Sequence, residues 1–155
     1  MTDDQKKKIV EMLSTAYNME LETVCNYLAN SIHLDGMLAQ EVKEVLETEV
    51  DEELGHARLL ANRIKVLGGR VPGSMDLKME QKTAQPPEDT IDVVSVVRGV
   101  IDAESNAIEH YGEIIEFTDG IDYVTQDLCI ELQGDEEEHR RMFEGFLREA
   151  ETVIN

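Results

Sequence analysis

Apolar residues recur at intervals of three and four along four long segments of the chain. The segments lie near residues 4–34, near 38–67, from Asp89 or Thr90 to 119, and near 122–151. In the first segment, the apolar positions include Ile9, Leu13, Tyr27 and Leu28. This spacing is typical of amphipathic helices. The β-branched residues at 93–97 could also indicate a strand, but the helical spacing continues through the turns that follow. The pattern therefore predicts an all-α fold of four helices.

Turn residues separate the four segments and determine how they connect. Short turns at 35–36 and 119–120 join the first helix to the second and the third to the fourth, so each pair is antiparallel. Gly68 starts a link of about 20 residues that contains all three prolines of the chain. Such a link can run most of the length of a bundle, so that the third helix starts where the first ends. We expect an antiparallel four-helix bundle with one long crossover, formed by residues 1–155 as a single domain.

Acidic residues and histidines interrupt the apolar face of every predicted helix. They are Glu20 on the first helix, Glu53 and His56 on the second, Glu104 on the third, and Glu136 and His139 on the fourth. On the second and fourth helices the spacing is Glu-x-x-His, so both side chains of a pair can reach the same point in the core. Buried carboxylates without a counter-charge would each cost several kcal/mol or remain protonated. The predicted core therefore needs a cation.

The two halves of the chain repeat this pattern at matching intervals. Tyr27 follows Glu20 by seven residues, as Tyr111 follows Glu104, and a Glu-x-x-His comes 33 residues after Glu20 and 32 after Glu104. Both tyrosines share the face of these glutamates and could donate hydrogen bonds to carboxylates across the bundle. Ordinary core packing is the alternative for the tyrosines, and solvated helix faces are the alternative for the six other residues.

The types of ligand indicate which metals the site would hold. Four glutamates and two histidines carry four formal negative charges, which suits two divalent cations. Carboxylate and imidazole ligands favour Fe²⁺ or Mn²⁺, with Zn²⁺ able to compete. Glu53 and Glu136 are placed to bridge the two metals, whereas Glu20 and Glu104 would be terminal ligands.

Three further acidic residues lie close to the predicted ligands in the sequence. Glu52 and Asp135 directly precede the bridging glutamates and could orient the histidine rings. Glu49 lies one turn before Glu53 on the inner face of its helix. It would either line an access route for the cation or lie partly exposed near the end of the bundle.

The net negative charge of the chain is consistent with binding of a cation. Among 155 residues, 34 are Asp or Glu and 14 are Lys or Arg, which gives a net charge of −20. This charge repels phosphate backbones and argues against nucleic-acid binding. No apolar run is long enough for a membrane span or a secretion signal, so we expect a soluble, cytoplasmic protein. Cys25 and Cys129 lack zinc-site spacing and are expected to be reduced thiols.

With these residues, the sequence resembles the ferritin-like di-iron superfamily, and most closely its bacterioferritin-type ferroxidase centre. The six predicted ligands fall where that family has its six iron ligands. The resemblance implies that each subunit binds two Fe ions, oxidises Fe²⁺ with O₂ or H₂O₂, and forms part of a homo-oligomeric shell that stores the ferric product. The implied catalytic residues are the six ligands together with Tyr27 and Tyr111.

Three departures from the family pattern bear on haem binding, on the number of subunits and on the subclass of di-metal protein. Leu54 stands where bacterioferritins have a haem-ligating Met, which argues against haem. Only 16 residues follow His139, too few for the fifth helix of 24-subunit shells, so a shell of twelve subunits is favoured and one of 24 stays open. Ala107 stands where rubrerythrins have an extra Glu. The alternatives are a non-storing di-iron or di-manganese peroxidase or oxidase, and a structural bundle with a vestigial site.

Overall fold

The computed structural model describes residues 1–154, which form four long helices. These are α1 (Asp3–His33), α2 (Gln40–Val66), α3 (Val93–Thr118) and α4 (Tyr123–Ile154). Two short 3₁₀ turns, Met37–Ala39 and Ser74–Asp76, lie in the first two connections. Residues 1–154 contain no β-strand. The predicted all-α fold is confirmed, and 93–97 forms the start of a helix.

The helices begin and end at residues that satisfy the free backbone groups. Thr2 caps α1 through a capping box, in which its Oγ1 accepts from the Gln5 N–H and its own N–H donates to Gln5 Oε1. Gly68 follows α2 with a φ of +78°, a conformation that favours glycine. Asp92 caps α3 by accepting a hydrogen bond from the Ser95 N–H at 3.1 Å.

Two details differ from the sequence prediction. Helix α3 starts at Val93 rather than at Asp89 or Thr90, because Asp92 provides the cap and the preceding residues form turns. Leu28 was expected on the apolar face of α1, but it is 52% exposed. The buried face of α1 instead continues through Tyr27 to Asn30, which places Leu28 on the outer side of the helix.

The crossover between α2 and α3 runs alongside α1. Asn18 Nδ2 donates to the Lys78 carbonyl, and the Lys78 N–H donates back to Asn18 Oδ1. Asn30 Nδ2 donates to the Ala84 carbonyl at 2.9 Å. At the end of α1, the Asp35 N–H donates to the Thr90 carbonyl at 2.8 Å. Helix α3 therefore starts beside the end of α1, and the predicted topology is confirmed.

The apolar core is divided into two clusters by a layer of buried polar residues. One cluster contains Ile9, Leu13, Leu60, Ile64 and Leu132 among its members. The other contains Tyr27, Leu46, Val97, Val100 and Phe143 among its members. The polar layer between them is the candidate site described below.

Two other sequence expectations concern cysteines and membrane spans. Cys25 is exposed and Cys129 is buried, and both are free. Within residues 1–154, no helix has both the length and the apolar character needed to cross a membrane.

Candidate metal centre

The structure brings the six predicted ligands together in the polar layer. All six are buried, and none is more than 6% exposed. Their ligand atoms form two groups, each within 4.8 Å: Glu20, Glu53, His56 and Glu136 in one, and Glu53, Glu104, Glu136 and His139 in the other. Because Glu53 and Glu136 belong to both groups, the arrangement fits two neighbouring cations with these glutamates between them.

Each histidine directs its Nδ1 atom toward the carboxylates. The Nδ1 of His56 lies 3.0 Å from Glu136 Oε1 and 3.2 Å from Glu53 Oε2. The Nδ1 of His139 lies 3.2 Å from Glu136 Oε2 and 3.3 Å from Glu53 Oε1. Both rings can therefore offer Nδ1 to a cation.

A second acidic residue faces the opposite nitrogen of each ring. His56 Nε2 lies 3.2 Å from Asp135 Oδ2, and His139 Nε2 lies 2.7 Å from Glu52 Oε2. In both cases the partner comes from the other helix of the α2–α4 pair. A carboxylate that accepts the Nε2–H fixes the tautomer and leaves the Nδ1 lone pair free for a metal. Glu52 and Asp135 thus lie where they can orient the histidine rings.

The two tyrosines donate hydrogen bonds to the terminal glutamates across the bundle. Tyr27 Oη donates to Glu104 Oε1 at 2.6 Å, and Tyr111 Oη donates to Glu20 Oε1. Burial and the neighbouring carboxylates raise the pKa of both phenols well above the ordinary value of 10. Both tyrosines therefore keep their protons and act as donors at neutral pH.

Without a cation, protons balance the negative charge of the site. Burial, together with the other carboxylates, raises the pKa of Glu20 and Glu104 well above the ordinary value. For Glu53 and Glu136, burial also favours the neutral form, but hydrogen bonds from the other glutamates and the histidines outweigh it and lower their pKa. The site therefore contains both protonated and ionised carboxyl groups.

The histidines carry part of this balancing charge. Burial by itself would lower the pKa of His56, but its contacts with Glu136 and Glu53 raise it to about 10. Contacts with Glu136, Glu49 and Glu53 likewise outweigh burial and raise the pKa of His139. A divalent cation could replace these protons, because all the ligands must be deprotonated to bind it.

Glu49 belongs to the buried layer, although its sequence position left two interpretations open. It is 3% exposed, so the expectation of partial exposure is wrong. Its Oε2 lies 2.9 Å from His139 Nδ1, and burial raises its pKa. The signal in the sequence was its position on the inner face, one turn before Glu53.

Gln81 of the crossover covers the site on the side of α1 and α3. With Glu20 and Glu104, it lines a cavity of about 10 Å³ beside the carboxylates. Its N–H donates to Glu22 Oε2, and its side-chain Oε1 accepts from Asn26 Nδ2 at 2.7 Å. Sequence reasoning missed Gln81 because the crossover is irregular and has no period that would indicate which side chains point inward.

A four-helix bundle with one long crossover and paired Glu-x-x-His residues in its core is the architecture of the di-metal carboxylate proteins. Comparison of the sequence with family models supports this class. Residues 10–153 match the ferritin-like domain. The chain belongs to this family, and the resemblance seen in the sequence is confirmed.

Two proteins are similar to this chain in sequence over most of its length. The DNA protection during starvation protein of Pyrococcus furiosus is 31% identical over 145 residues, which cover 91% of this chain and 77% of the relative. The bacterioferritin of Desulfovibrio desulfuricans is 27% identical over 143 residues, which cover 92% of this chain and 75% of the relative.

Solved structures show the same fold. The dodecameric thioferritin of Bacteroides fragilis, a bacterioferritin-related protein, is 27% identical with a TM-score of 0.83. The match covers 96% of this chain and 89% of that one. The D. desulfuricans bacterioferritin is 24% identical with a TM-score of 0.80, over 97% of this chain and 84% of that one. At this identity, the second comparison supports the fold alone.

Proposed function

We propose that this protein is a ferroxidase subunit of an iron-storing or iron-detoxifying shell. Each chain would bind two Fe²⁺ ions as substrate at Glu20, Glu53, His56, Glu104, Glu136 and His139. The observation that carries this proposal is the pair of ligand groups sharing Glu53 and Glu136 in the buried layer. Membership of the ferritin-like family supports it, as do relatives named as bacterioferritin and DNA protection proteins.

The shared glutamates explain why the reaction would need two ions. Two Fe²⁺ ions give up two electrons, which reduce H₂O₂ and two protons to two waters, or O₂ and two protons to H₂O₂. Glu53 and Glu136 would hold the ions close enough for one oxidant to accept both electrons. The carboxylates favour the product because Fe³⁺ carries more charge for them to balance.

The remaining residues of the site would keep the ligands in position. Tyr27 and Tyr111 restrain Glu104 and Glu20 through their hydrogen bonds. Glu52 and Asp135 hold the rings of His139 and His56 with Nδ1 directed inward. Mn²⁺ and Zn²⁺ suit the same ligands, so metal analysis of the protein as isolated tests the assignment of iron.

The shell is the part of the proposal that involves other copies of the chain. We infer a cytoplasmic homo-oligomer of single-domain subunits, with twelve favoured over 24, and the dodecameric relative supports the smaller number. Exposed apolar residues on α1 and α2, among them Ile32 and Leu59, are available for contacts between subunits. Haem and nucleic acid are not part of the proposal, given Leu54 and the net charge of −20.

Particle mass and iron retention test this function together. Light scattering should give a particle of about twelve subunits, in line with the closed symmetry common among oligomers. Aerobic addition of Fe²⁺ should then leave many iron atoms per chain bound after gel filtration. A monomer or dimer that keeps no more than two per chain would exclude storage. Turnover of peroxide with an added reductant and no mineral would assign the protein to the non-storing di-metal class.

A double variant tests whether the assigned residues perform the oxidation. Glu53→Ala with His56→Ala should abolish rapid Fe²⁺ oxidation, followed as ferric absorbance after mixing. Glu47→Gln, on the exposed side of the same helix, is the matched control and should react like the wild type. Unchanged oxidation in the double variant would contradict the assigned centre, whereas absence of any bound metal in the wild type would indicate a structural bundle.

A further inference from the structure

The two halves of the metal centre correspond residue by residue, with one exception. An offset of 83 residues relates Glu53 to Glu136 and His56 to His139. The same offset relates Glu49 to Leu132. Glu49 and Leu132 are both buried, at 3% and 1% exposure. The pseudo-symmetry of the centre is therefore broken by a carboxylate in one half and an apolar side chain in the other.

This difference gives the two histidines unequal surroundings. Around His139 Nδ1, the nearest oxygens of Glu49, Glu136, Glu53 and Glu104 lie at 2.9, 3.2, 3.3 and 4.0 Å. Around His56 Nδ1, the oxygens of Glu136, Glu53 and Glu20 lie at 3.0, 3.2 and 3.9 Å. Leu132, which takes the place of Glu49 in that half, packs in the apolar cluster with Leu60 and Ile64.

Glu49 also has an unused ligand atom. Its Oε2 is close to His139 Nδ1, yet within the part of the chain that is described it forms no hydrogen bond. The Nδ1 atom of His139 can make one hydrogen bond, and its partner is Glu136 Oε2 at 3.2 Å. Two of the four oxygens around His139 Nδ1, Glu49 Oε2 and Glu53 Oε1, therefore lack a donor. Several carboxylate oxygens around one imidazole nitrogen, some of them without a donor, is the arrangement expected around a cation rather than around a proton.

We propose that Glu49 is a fifth carboxylate ligand of the centre and makes the two metal positions unequal. The position beside His139 and Glu104 then binds a divalent cation before the position beside His56 and Glu20. The physical reason is the additional negative charge within ligand distance, in a site from which water is largely excluded. This inference rests on the proposed function, because it assumes that cations bind between the shared glutamates.

Cobalt occupancy measured by anomalous diffraction tests the inequality. Crystals of the wild-type protein are grown with one equivalent of Co²⁺ per chain, and the anomalous signals of the two positions are compared. We expect the His139 position to hold about tenfold more Co²⁺ than the His56 position, since changes near a metal site typically alter affinity 10- to 100-fold.

Two substitutions assign the preference to Glu49. Glu49→Leu gives both halves a leucine at this position, and Glu49→Gln keeps the size of the side chain but removes its charge. Both should bring the two occupancies to within about twofold of each other, which is less than 1 kcal/mol of difference. Glu47→Gln is exposed on the same helix and should keep the wild-type preference. If Glu49→Leu does not fold, Glu49→Gln decides the question.

The outcomes separate this inference from the proposed function. Equal occupancy in the wild type, or preferential filling of the His56 position, overturns the role of Glu49 but leaves the two-metal centre intact. A preference that persists in the Glu49 variants also overturns it. No cobalt at either position of the wild type would contradict the proposed function and this inference together.

Discussion

Tyr27 on α1 donates a hydrogen bond to Glu104 on α3, with 2.6 Å between Oη and Oε1. Tyr111 on α3 returns the same contact to Glu20 on α1. Each tyrosine therefore restrains the terminal carboxylate of the other half of the chain. Because both phenols lie in the core, their positions are set by the packing of the bundle and not by any ligand.

Removing one of these hydrogen bonds should weaken metal binding without unfolding the protein. Tyr27→Phe leaves Glu104 free to move, so we expect the affinity for Co²⁺ to fall roughly 10- to 100-fold. Titration followed by cobalt absorbance measures the change. Tyr123→Phe, at a position that is 67% exposed, is the control and should bind like the wild type. Equal affinity in both variants would show that Tyr27 only fills the core.

Metal binding should release protons at neutral pH. Glu20 and Glu104 hold protons because of their raised pKa values, and His56, with a pKa of about 10, is also protonated, as is His139. All four must lose a proton to coordinate a cation, so affinity rises with pH from neutral through the pKa of His56. Calorimetry of Zn²⁺ binding in buffers of different ionisation enthalpy measures the release. The Glu53→Ala, His56→Ala double variant lacks the His56 proton and one shared ligand, so it should release fewer protons than the wild type.

Glu20→Gln should raise the stability of the metal-free protein relative to the wild type at higher pH, although it weakens metal binding. Wild-type Glu20 keeps a proton in the folded state that the unfolded chain loses above its ordinary pKa of 4.5. The wild type therefore loses stability as pH rises from 4.5 toward the raised pKa, and the variant avoids this loss. Denaturant unfolding at several pH values should show the variant gaining relative to the wild type as pH rises.

The same variant should be less stabilised by metal. A cation at 100 times its Kd stabilises a folded protein by about 2.7 kcal/mol, and loss of a ligand removes most of this effect. The shift in melting temperature on adding Zn²⁺ measures it. An equal shift in Glu20→Gln and wild type would argue against Glu20 as a ligand.

The contact between the crossover and α3 can be tested at Gly99. A Cβ atom there would lie 2.1 Å from the Thr83 carbonyl oxygen, so the backbone of the crossover would have to move. We expect Gly99→Ala to cost about 1–3 kcal/mol of unfolding free energy. Gly134→Ala is the matched control, because a Cβ there meets no atom within 4 Å and should stabilise the helix by about 0.5–1 kcal/mol. Denaturant unfolding of both variants measures the difference.

The helical period explains why so much of the centre could be predicted. Along a helix, residue number determines direction, so a glutamate in line with apolar neighbours must point into the core. That argument located Glu20 and Glu104 and both Glu-x-x-His pairs, and it placed the tyrosines on the same face. It is least precise at the edge of a face, where Leu28 is exposed although its neighbour Tyr27 is buried.

Other features of the site depend on contacts that no period encodes. Gln81 lines the cavity beside the carboxylates, and hydrogen bonds with Glu22 and Asn26 hold its irregular segment there. The burial of Glu49 depends on how far α4 covers α2, which the pattern of α2 alone does not specify. The start of α3 depends on Asp92 acting as its N-cap. The sequence alone does not show which of the nearby acidic residues takes this position.

Each of the two candidate ligand groups contains residues from both helical hairpins. The α1–α2 hairpin contributes Glu20, Glu53 and His56, but the first ligand group also needs Glu136 from α4, and the second group needs Glu53 from α2. During synthesis, an emerging chain with only its first hairpin lacks part of both groups. If these groups bind iron as proposed, tight binding of iron must wait until α4 has been translated and has packed against α2, and incomplete chains would then hold no reactive iron.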